Sequence, residues 1–274
     1  MLQERSMLAD LTIHRWTATK HDPAVSAEIE KAHSASNAGR YNKQLIDKSY
    51  LATIDELGNK IRKHHYTYTL PWTDKGARLL PSKLFMEYRQ GLAELRDKRV
   101  RAIGDFLNVY PSLVQAARTR LNTMFQPEDY PPVESLRRSF DVELEITPVP
   151  DAGDFRVDVA NEIQVEIRQQ IQDSMRARQD KAVKEAWLRV HEAVKRVYDQ
   201  CANPKGRIHD SLMDNIKELA GVINGLNITD DPQLGQMGAE LTNLWISPES
   251  IRTSQWARRD TADKAEILLQ KVPT

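Results

Sequence analysis

A stretch of about 43 residues, 160–202, contains neither proline nor glycine and repeats apolar residues at helical spacing. At a rise of about 1.5 Å per residue, one helix of this length is roughly 65 Å long. Its middle, Arg176–Lys181, is polar except for Ala177. The segment therefore predicts either one long helix with an exposed shaft or two shorter helices that separate at the polar stretch.

A first long helix is predicted earlier in the chain, between Phe85 and Met124, where apolar residues recur at close to heptad spacing. Arg99 interrupts this apolar series once. Pro111 lacks a backbone donor, so the helix is expected to kink or restart there. The proline-rich stretch 126–132 ends the pattern.

The second half of 160–202 has the alternating spacing of four and three residues that is typical of a coiled-coil seam. The seam residues, which are the candidate oligomer or partner interface, are Val183, Trp187, Val190, Val194 and Val197. Two interpretations stay open. The seam forms core packed on the first long helix, or it pairs with another subunit.

Between the two long helices the apolar period falls to two residues. Phe140–Ile146 alternates apolar and acidic residues, and Phe155–Val159 alternates again after a turn-rich link. This pattern predicts an antiparallel β-hairpin at about 139–159. Because two strands alone are marginally stable, the alternating segment Leu11–Trp16 is expected to supply a third strand.

The other helices are expected to be shorter. Their predicted ranges are Ala24–Ala35, Asn42–His65, 208–225, 232–245, Pro248–Ser254 and about 256–271. Ser247 followed by Pro248 is typical of a helix N-cap and first helical position.

The predicted fold class is therefore mainly α: an elongated helical bundle or coiled coil with a small antiparallel β-hairpin or three-stranded insertion. Three consecutive segments are expected. Residues 1–80 hold a strand, a helix and an aromatic loop, and 81–204 hold the two long helices and the hairpin. Residues 205–274 form a C-terminal helical segment that packs on the rest.

Composition excludes several classes of protein. The chain has 39 basic and 39 acidic residues and one cysteine, so it has neither an internal disulfide framework nor a cysteine-rich zinc site. The chain contains no run of about 18 apolar residues, so no membrane-spanning helix is predicted. The charged N-terminus lacks a signal core, so a cytoplasmic location is expected, here the cytoplasm of a bacterial host.

The zero net charge is unevenly distributed along the chain. Residues 1–125 contain 20 basic and 13 acidic residues, whereas 126–250 contain 14 basic and 23 acidic residues. Such asymmetry orients a molecule on a polyanion or favours head-to-tail association. The alternative is that the two halves fold against each other and largely cancel.

A cluster of basic and aromatic residues follows the predicted helix 42–65. The candidate nucleic-acid-binding residues are Arg62, Lys63, His64, Tyr66, Tyr68, Trp72 and Lys75. Cations neutralise phosphates while aromatic faces stack on unpaired bases. The alternative is that the aromatic residues cap a helix bundle and the cations are solvated.

A second basic patch lies on the first long helix and comprises Arg96, Lys98, Arg99 and Arg101. Because Glu94 and Asp97 share this surface, we interpret it as a solvated helix face rather than a binding site.

No catalytic, metal or cofactor site is predicted. His64 and His65 are adjacent and point about 100° apart on a helix, which disfavours a shared metal. Cys201 follows the seam and is expected to be a small buried hydrophobe. Neither of the glycine-rich phosphate-binding patterns occurs. We therefore expect a protein without enzymatic activity and without a cofactor.

Short motifs are spread over nearly the whole chain. They are 37–43 (NAGRYNK), 69–72 (TLPW), 76–81 (GARLLP), 129–131 (DYP), 148–150 (PVP), 153–157 (GDFRV), 210–212 (DSL) and 226–229 (LNIT). In these motifs the chain resembles an uncharacterised protein family of tailed bacteriophages, prophages and integrative elements. The resemblance brings no catalytic residues. Its members' association with MoxR-type AAA ATPases and von Willebrand factor A proteins implies an adaptor or substrate role, with an AAA ATPase as a partner.

The sequence is therefore consistent with three functions. The first is a non-catalytic phage or mobile-element interaction protein that acts through coiled-coil self-association or partner binding. The second is a single-stranded nucleic-acid-binding protein of phage replication or recombination. The third is an inhibitor of a host defence protein whose acidic surface mimics nucleic acid.

Overall fold

The computed structural model describes residues 2–74, 76–151 and 161–273. The protein is mainly helical with a small antiparallel sheet, which confirms the predicted fold class. The helices are α1 (Leu2–Arg5), α2 (Pro23–Ala32), α3 (Ala52–Tyr68), α4 (Phe85–Leu121), α5 (Val133–Arg138), α6 (Asn161–Ala202), α7 (Asp210–Leu226), α8 (Pro232–Leu244), α9 (Pro248–Thr253) and α10 (Gln255–Lys271).

The strands form a four-stranded sheet in the order β4-β5-β1-β6 and a two-stranded sheet of β2 and β3. Their bounds are β1 (Ser6–Ile13), β2 (Thr19–His21), β3 (Asn42–Gln44), β4 (Leu70–Pro71), β5 (Arg78–Pro81) and β6 (Val142–Pro148). Strand β5 is antiparallel to both neighbours, with Leu79 opposite Leu8 on one side and Leu70 on the other. These three leucines are buried.

The hairpin prediction is confirmed in its first strand. That strand is β6, and its neighbour in the sheet is β1, which supplies the predicted third strand. β1 begins five residues before the predicted Leu11 and ends at Ile13. The predicted second strand, Phe155–Val159, lies outside the described residues.

The predicted helix 42–65 is wrong at its start. Its first three residues form β3, and α3 begins only at Ala52. The physical reason is the side chain of Lys43, which is buried and donates to the carbonyl of Met124 (2.7 Å) while pairing with Asp129 (2.8 Å). Asp47 then caps the turn before α3 by accepting from the Ser49 amide (2.8 Å).

Both long helices are continuous. α4 passes through Pro111 without a break, so of the predicted kink or restart the restart is wrong; buried Phe106, Leu107 and Tyr110 lie in the turn before the proline. α6 runs unbroken over 42 residues, as the first of the two interpretations predicted. No side chain from 163 to 181 is fully buried, although Met175 packs against the core of unit 1 and Arg178 lies over Trp72.

The C-terminal helices agree with prediction, and polar caps explain where three of them begin. Asp231 accepts from the amides of Gln233 (2.9 Å) and Leu234 (3.4 Å) at the start of α8. Ser247 and Ser254 accept in the same way at the starts of α9 and α10. Such caps satisfy amides that have no partner inside the helix.

The chain forms two compact units, each with its own core, and neither corresponds to one of the three consecutive segments expected. Unit 1 comprises Met1–Leu11, His64–Arg89 and Leu144–Thr274, and unit 2 comprises Thr12–Lys63 and Gln90–Glu143. The core of unit 1 lies where α6 packs chiefly on α10 and α7. The core of unit 2 gathers apolar residues of α3, α4 and α5, with Phe106 and Phe140 edge to face.

Candidate functional site

Part of the predicted basic and aromatic cluster, namely His64, Tyr68 and Trp72, packs within unit 1. Trp72 is only 2% exposed and lies in the core of unit 1, with the guanidinium of Arg178 5.7 Å from its ring centroid. A buried indole has no face to offer to a base. The prediction that Trp72 stacks on nucleic acid is therefore wrong.

The histidine and tyrosine side chains of this cluster pack on one another. His64 stacks on Tyr88 and forms a hydrogen bond with the Tyr88 carbonyl (2.8 Å). Tyr68 is half-buried against the same core. His65 is buried, and its Nδ1 forms a hydrogen bond with the Tyr88 hydroxyl (2.9 Å). Burial, aided by nearby Arg78 and His64, lowers the pKa of His65 to about 4.

Two arginines near this cluster form hydrogen bonds with the C-terminal end of α3. Arg189 donates to the carbonyls of Thr67 (3.3 Å) and Thr69 (2.8 Å), and Arg78 donates to the Thr69 hydroxyl (2.8 Å). Cations at a helix C-terminus satisfy its free carbonyls and oppose its dipole. Burial lowers the pKa of Arg78 to about 10, with the charge of Arg189 adding to the effect.

The other described residues of the cluster, Arg62, Lys63 and Tyr66, lie at the surface. Tyr66 is half-exposed but is covered on one face by Arg78, at 4.5 Å. Arg62 and Lys63 are exposed and belong to unit 2, and Arg62 donates to Asn59 (3.4 Å). Lys75 lies outside the described residues.

The coiled-coil seam of α6 belongs to the core of unit 1. Val190, Val194 and Val197 are fully buried, and Val183 and Trp187 pack in the same cluster. Helices α10 and α7 cover them, where the first long helix was the expected neighbour. A second subunit has no access to side chains that the chain itself covers, so of the two interpretations the seam is core and not an oligomer interface.

A groove of about 790 Å³ between α6, α9 and α10 is the candidate functional site in unit 1. We call it the Trp256 groove, after a tryptophan that lines it and is 75% exposed. Trp256, Arg259, Asp263 and Glu266 lie three or four residues apart on α10, so they share one face of that helix.

Arg258 lines the Trp256 groove and joins α10 to the end of α6. Its guanidinium donates to four carbonyls at and just beyond the end of α6: those of Gln200 (2.8 Å), Cys201 (3.2 Å), Asn203 (2.6 Å) and Gly206 (2.6 Å). A Cβ at position 206 would lie 2.4 Å from the Gln200 carbonyl oxygen, so this close approach requires glycine. The shape of this side of the groove is therefore fixed by contacts within the chain itself.

The other two arginines that line the groove differ in their contacts with the rest of the chain. Arg252 is engaged by Asp210 and Glu249 and donates to the Ile208 carbonyl (3.0 Å). Arg259 is exposed beside Trp256. Cys201 is buried in the floor, and burial raises the pKa of its thiol, as suits the predicted small hydrophobe rather than a nucleophile.

Sequence reasoning did not single out Trp256, although α10 contains a signal for it. The buried positions of α10 include Ala257, Thr261, Ala265 and Leu268, which follow helical spacing. Trp256 lies one residue off this stripe, where a solvated polar residue is expected. A large aromatic residue outside the buried stripe is the pattern that indicates a surface anchor.

Within the described ranges, no group of histidine, cysteine, aspartate and glutamate side chains has an arrangement that could hold a metal ion. The helices of those ranges include none with the length and apolarity to span a bilayer. No protein-family model, curated protein or solved structure matches this chain.

Proposed function

We propose that this chain is a non-catalytic interaction protein that binds a partner protein through the Trp256 groove. The observation that carries the proposal is the three-quarters exposed indole of Trp256 on a preformed, charged groove. Tryptophan and arginine are enriched among the residues that dominate binding energy at protein interfaces. Burying one exposed indole on a partner removes a large apolar surface from water.

The charges around the indole define the chemistry of the partner. Arg259 lies on one side of Trp256, and Asp263 and Glu266 follow on the next turns of α10. The complementary surface has an apolar pocket for the indole, a carboxylate for Arg259 and a cation for the two acids. The phage-family resemblance supports a partner from phage or mobile-element machinery in the bacterial cytoplasm, such as an AAA ATPase.

Coiled-coil self-association through the α6 seam is not part of this proposal, because the chain's own helices cover the seam. A second candidate ligand for the groove is single-stranded nucleic acid. The adjacent exposed Trp256 and Arg259 favour it, because an aromatic face stacks on bases and a guanidinium pairs with phosphate.

Affinity capture from lysate of the source cells, followed by titration of the purified partner, tests the proposal. Trp256→Ala is expected to weaken partner binding at least about tenfold, as for a truncated interface anchor. The matched control is Trp245→Ala, which removes a second partly exposed tryptophan of unit 1 outside the groove.

Equal affinity of the Trp256→Ala variant and the wild type, or no specific capture by the wild type, would show the proposal to be wrong. The same variants titrated with a labelled oligothymidylate at two salt concentrations test the second candidate. Salt-sensitive binding that depends on Trp256, without any protein partner, would assign the groove to nucleic acid instead.

A further inference from the structure

Unit 2 contains a separate cavity of about 430 Å³ on the surface of α4, bounded by α5 and the first residues of β6. This volume falls within the roughly 300–1,000 Å³ of ordinary small-molecule sites. The apolar part of its wall comes from Val100, Ile103 and Phe140. We call it the Arg99 pocket, after the buried arginine that lines it.

Arg99 is the cation that interrupts the apolar series of α4, and it points inward. It is only 3% exposed. Its guanidinium donates to two carbonyl oxygens, those of Phe140 and His14 (2.8 Å to the latter), rather than to carboxylates. Its Nε has no hydrogen-bond acceptor among the described residues and lies against Gly58 of α3, outside the lining of the pocket. Asp55 and Asp141 lie near enough to offset part of its charge, but neither forms a hydrogen bond with it, and a buried guanidinium in that position favours an added anion nearby.

Two further arginines line the same pocket. Arg96 is half-buried and donates to the Val142 carbonyl, and Arg137 is exposed on α5. Asp141 and Glu143 also line it but are exposed. Water screens exposed carboxylates more strongly than it screens a buried guanidinium. Three guanidinium groups and two exposed carboxylates therefore line the pocket, which gives it an excess of positive charge beside its apolar wall.

We propose that the Arg99 pocket binds a small organic anion, with an apolar body on Val100, Ile103 and Phe140 and its head group on the arginines. The shared chemistry is an alkyl or aryl chain that ends in a carboxylate or a phosphate. Guanidinium groups bind both anions with charge-assisted hydrogen bonds. This site is independent of the partner binding proposed for unit 1, because every residue that lines it belongs to unit 2.

Isothermal titration calorimetry of the full chain with octanoate, octyl phosphate and 1-octanol tests this proposal. At least one of the two anions is expected to bind saturably at one site, and the neutral alcohol at least about tenfold more weakly, since about 1.4 kcal/mol corresponds to tenfold. The stronger of the two anions identifies the head group.

Variants at exposed positions avoid disturbing the fold. Arg137→Gln and Val100→Asp, the latter at a side chain that is 59% exposed, are each expected to weaken anion binding about tenfold. Their matched controls on α4 are Arg101→Gln and Val109→Asp, which make the same changes of charge at exposed positions outside the pocket. Arg99 itself is left unchanged because its loss would free two carbonyls in the core.

Saturable anion binding that both pocket variants weaken and both controls leave intact would support the proposal. Three results would overturn it: no saturable binding of either anion, equal binding of octanol, or equal weakening by the pocket variants and the controls. The last would indicate a general effect of charge rather than a site.

Discussion

His65 is a titratable side chain whose proton affinity is set by its burial. It packs beside Tyr88 and close to the charge of Arg78, and its pKa of about 4 lies well below the usual 6.5. The unfolded chain therefore binds a proton at this histidine more readily than the folded chain does. The resulting stability is fully present above pH 6.5 and is lost as the pH falls toward 4.

This difference predicts that the free energy of unfolding falls by about 2 kcal/mol between pH 7 and pH 5 through His65 alone. Urea unfolding at both pH values, compared between the wild type and His65→Gln, measures it. The variant is expected to lose most of this pH dependence, whereas His209→Gln, at an exposed histidine of unit 1, keeps it. An unchanged pH dependence in His65→Gln would contradict the prediction.

Among the elements, α6 depends on a residue that is distant in sequence for its C-terminal end. Arg258, on α10, donates to four carbonyls at and beyond the last turn of α6. A helix leaves its last carbonyls without internal partners, and a guanidinium offers enough donors to satisfy several at once. The side chain therefore joins the end of α6 to α10.

Arg258→Gln is expected to lower the free energy of unfolding by about 2 kcal/mol, because it removes charge-assisted hydrogen bonds from carbonyls at the end of α6. Chemical denaturation followed by circular dichroism measures the loss. Arg259→Gln is the control, since it removes the same charge from the next, exposed position. Similar losses in the two variants would show that charge, and not capping, stabilises this end of α6.

At the scale of the whole molecule, a substitution in the α6 seam distinguishes an intramolecular core from an oligomer interface. Val194→Ala removes two methyl groups from a fully buried position and is expected to cost about 2 kcal/mol of unfolding free energy. Sedimentation velocity is expected to give the same mass for this variant and the wild type. Val165→Ala, at a position of the same helix that is 67% exposed, is expected to change neither quantity. A smaller mass for Val194→Ala alone would restore the seam as an interface.

Apolar periodicity predicted the regular elements well, because a helix or strand must bury one face whatever covers it. The series from Val183 to Val197 predicted α6, and Ser247-Pro248 predicted the start of α9. The strands β4 and β5 were missed, because two to four residues are too few to show a period. The start of α3 was missed because β3 is held by the buried Lys43 and its long-range ion pair with Asp129.

The two candidate sites were predicted less well than the fold. Arg99 occupies an apolar position of the α4 series, and Trp256 lies off the buried stripe of α10, so each is visible as a misfit in a regular pattern. The interpretation of Arg96 and Arg99 as a solvated face was wrong because their guanidinium groups reach carbonyls at residues 14, 140 and 142. The misfit at Arg99 does not by itself reveal these acceptors, because they are distant in the sequence.

The amino-acid sequence was sufficient for the helical class, the two long helices, the first hairpin strand and the C-terminal helices, because periodicity and capping act between near neighbours. Only the tertiary structure decides which side chains are buried. The sequence predicts Trp72 and the α6 seam as possible partner surfaces, whereas in the folded chain they share a core with β4, α7 and α10. Trp256 and the arginines on α4 gained their roles because burial depends on contacts between residues far apart in the chain, which no local pattern encodes.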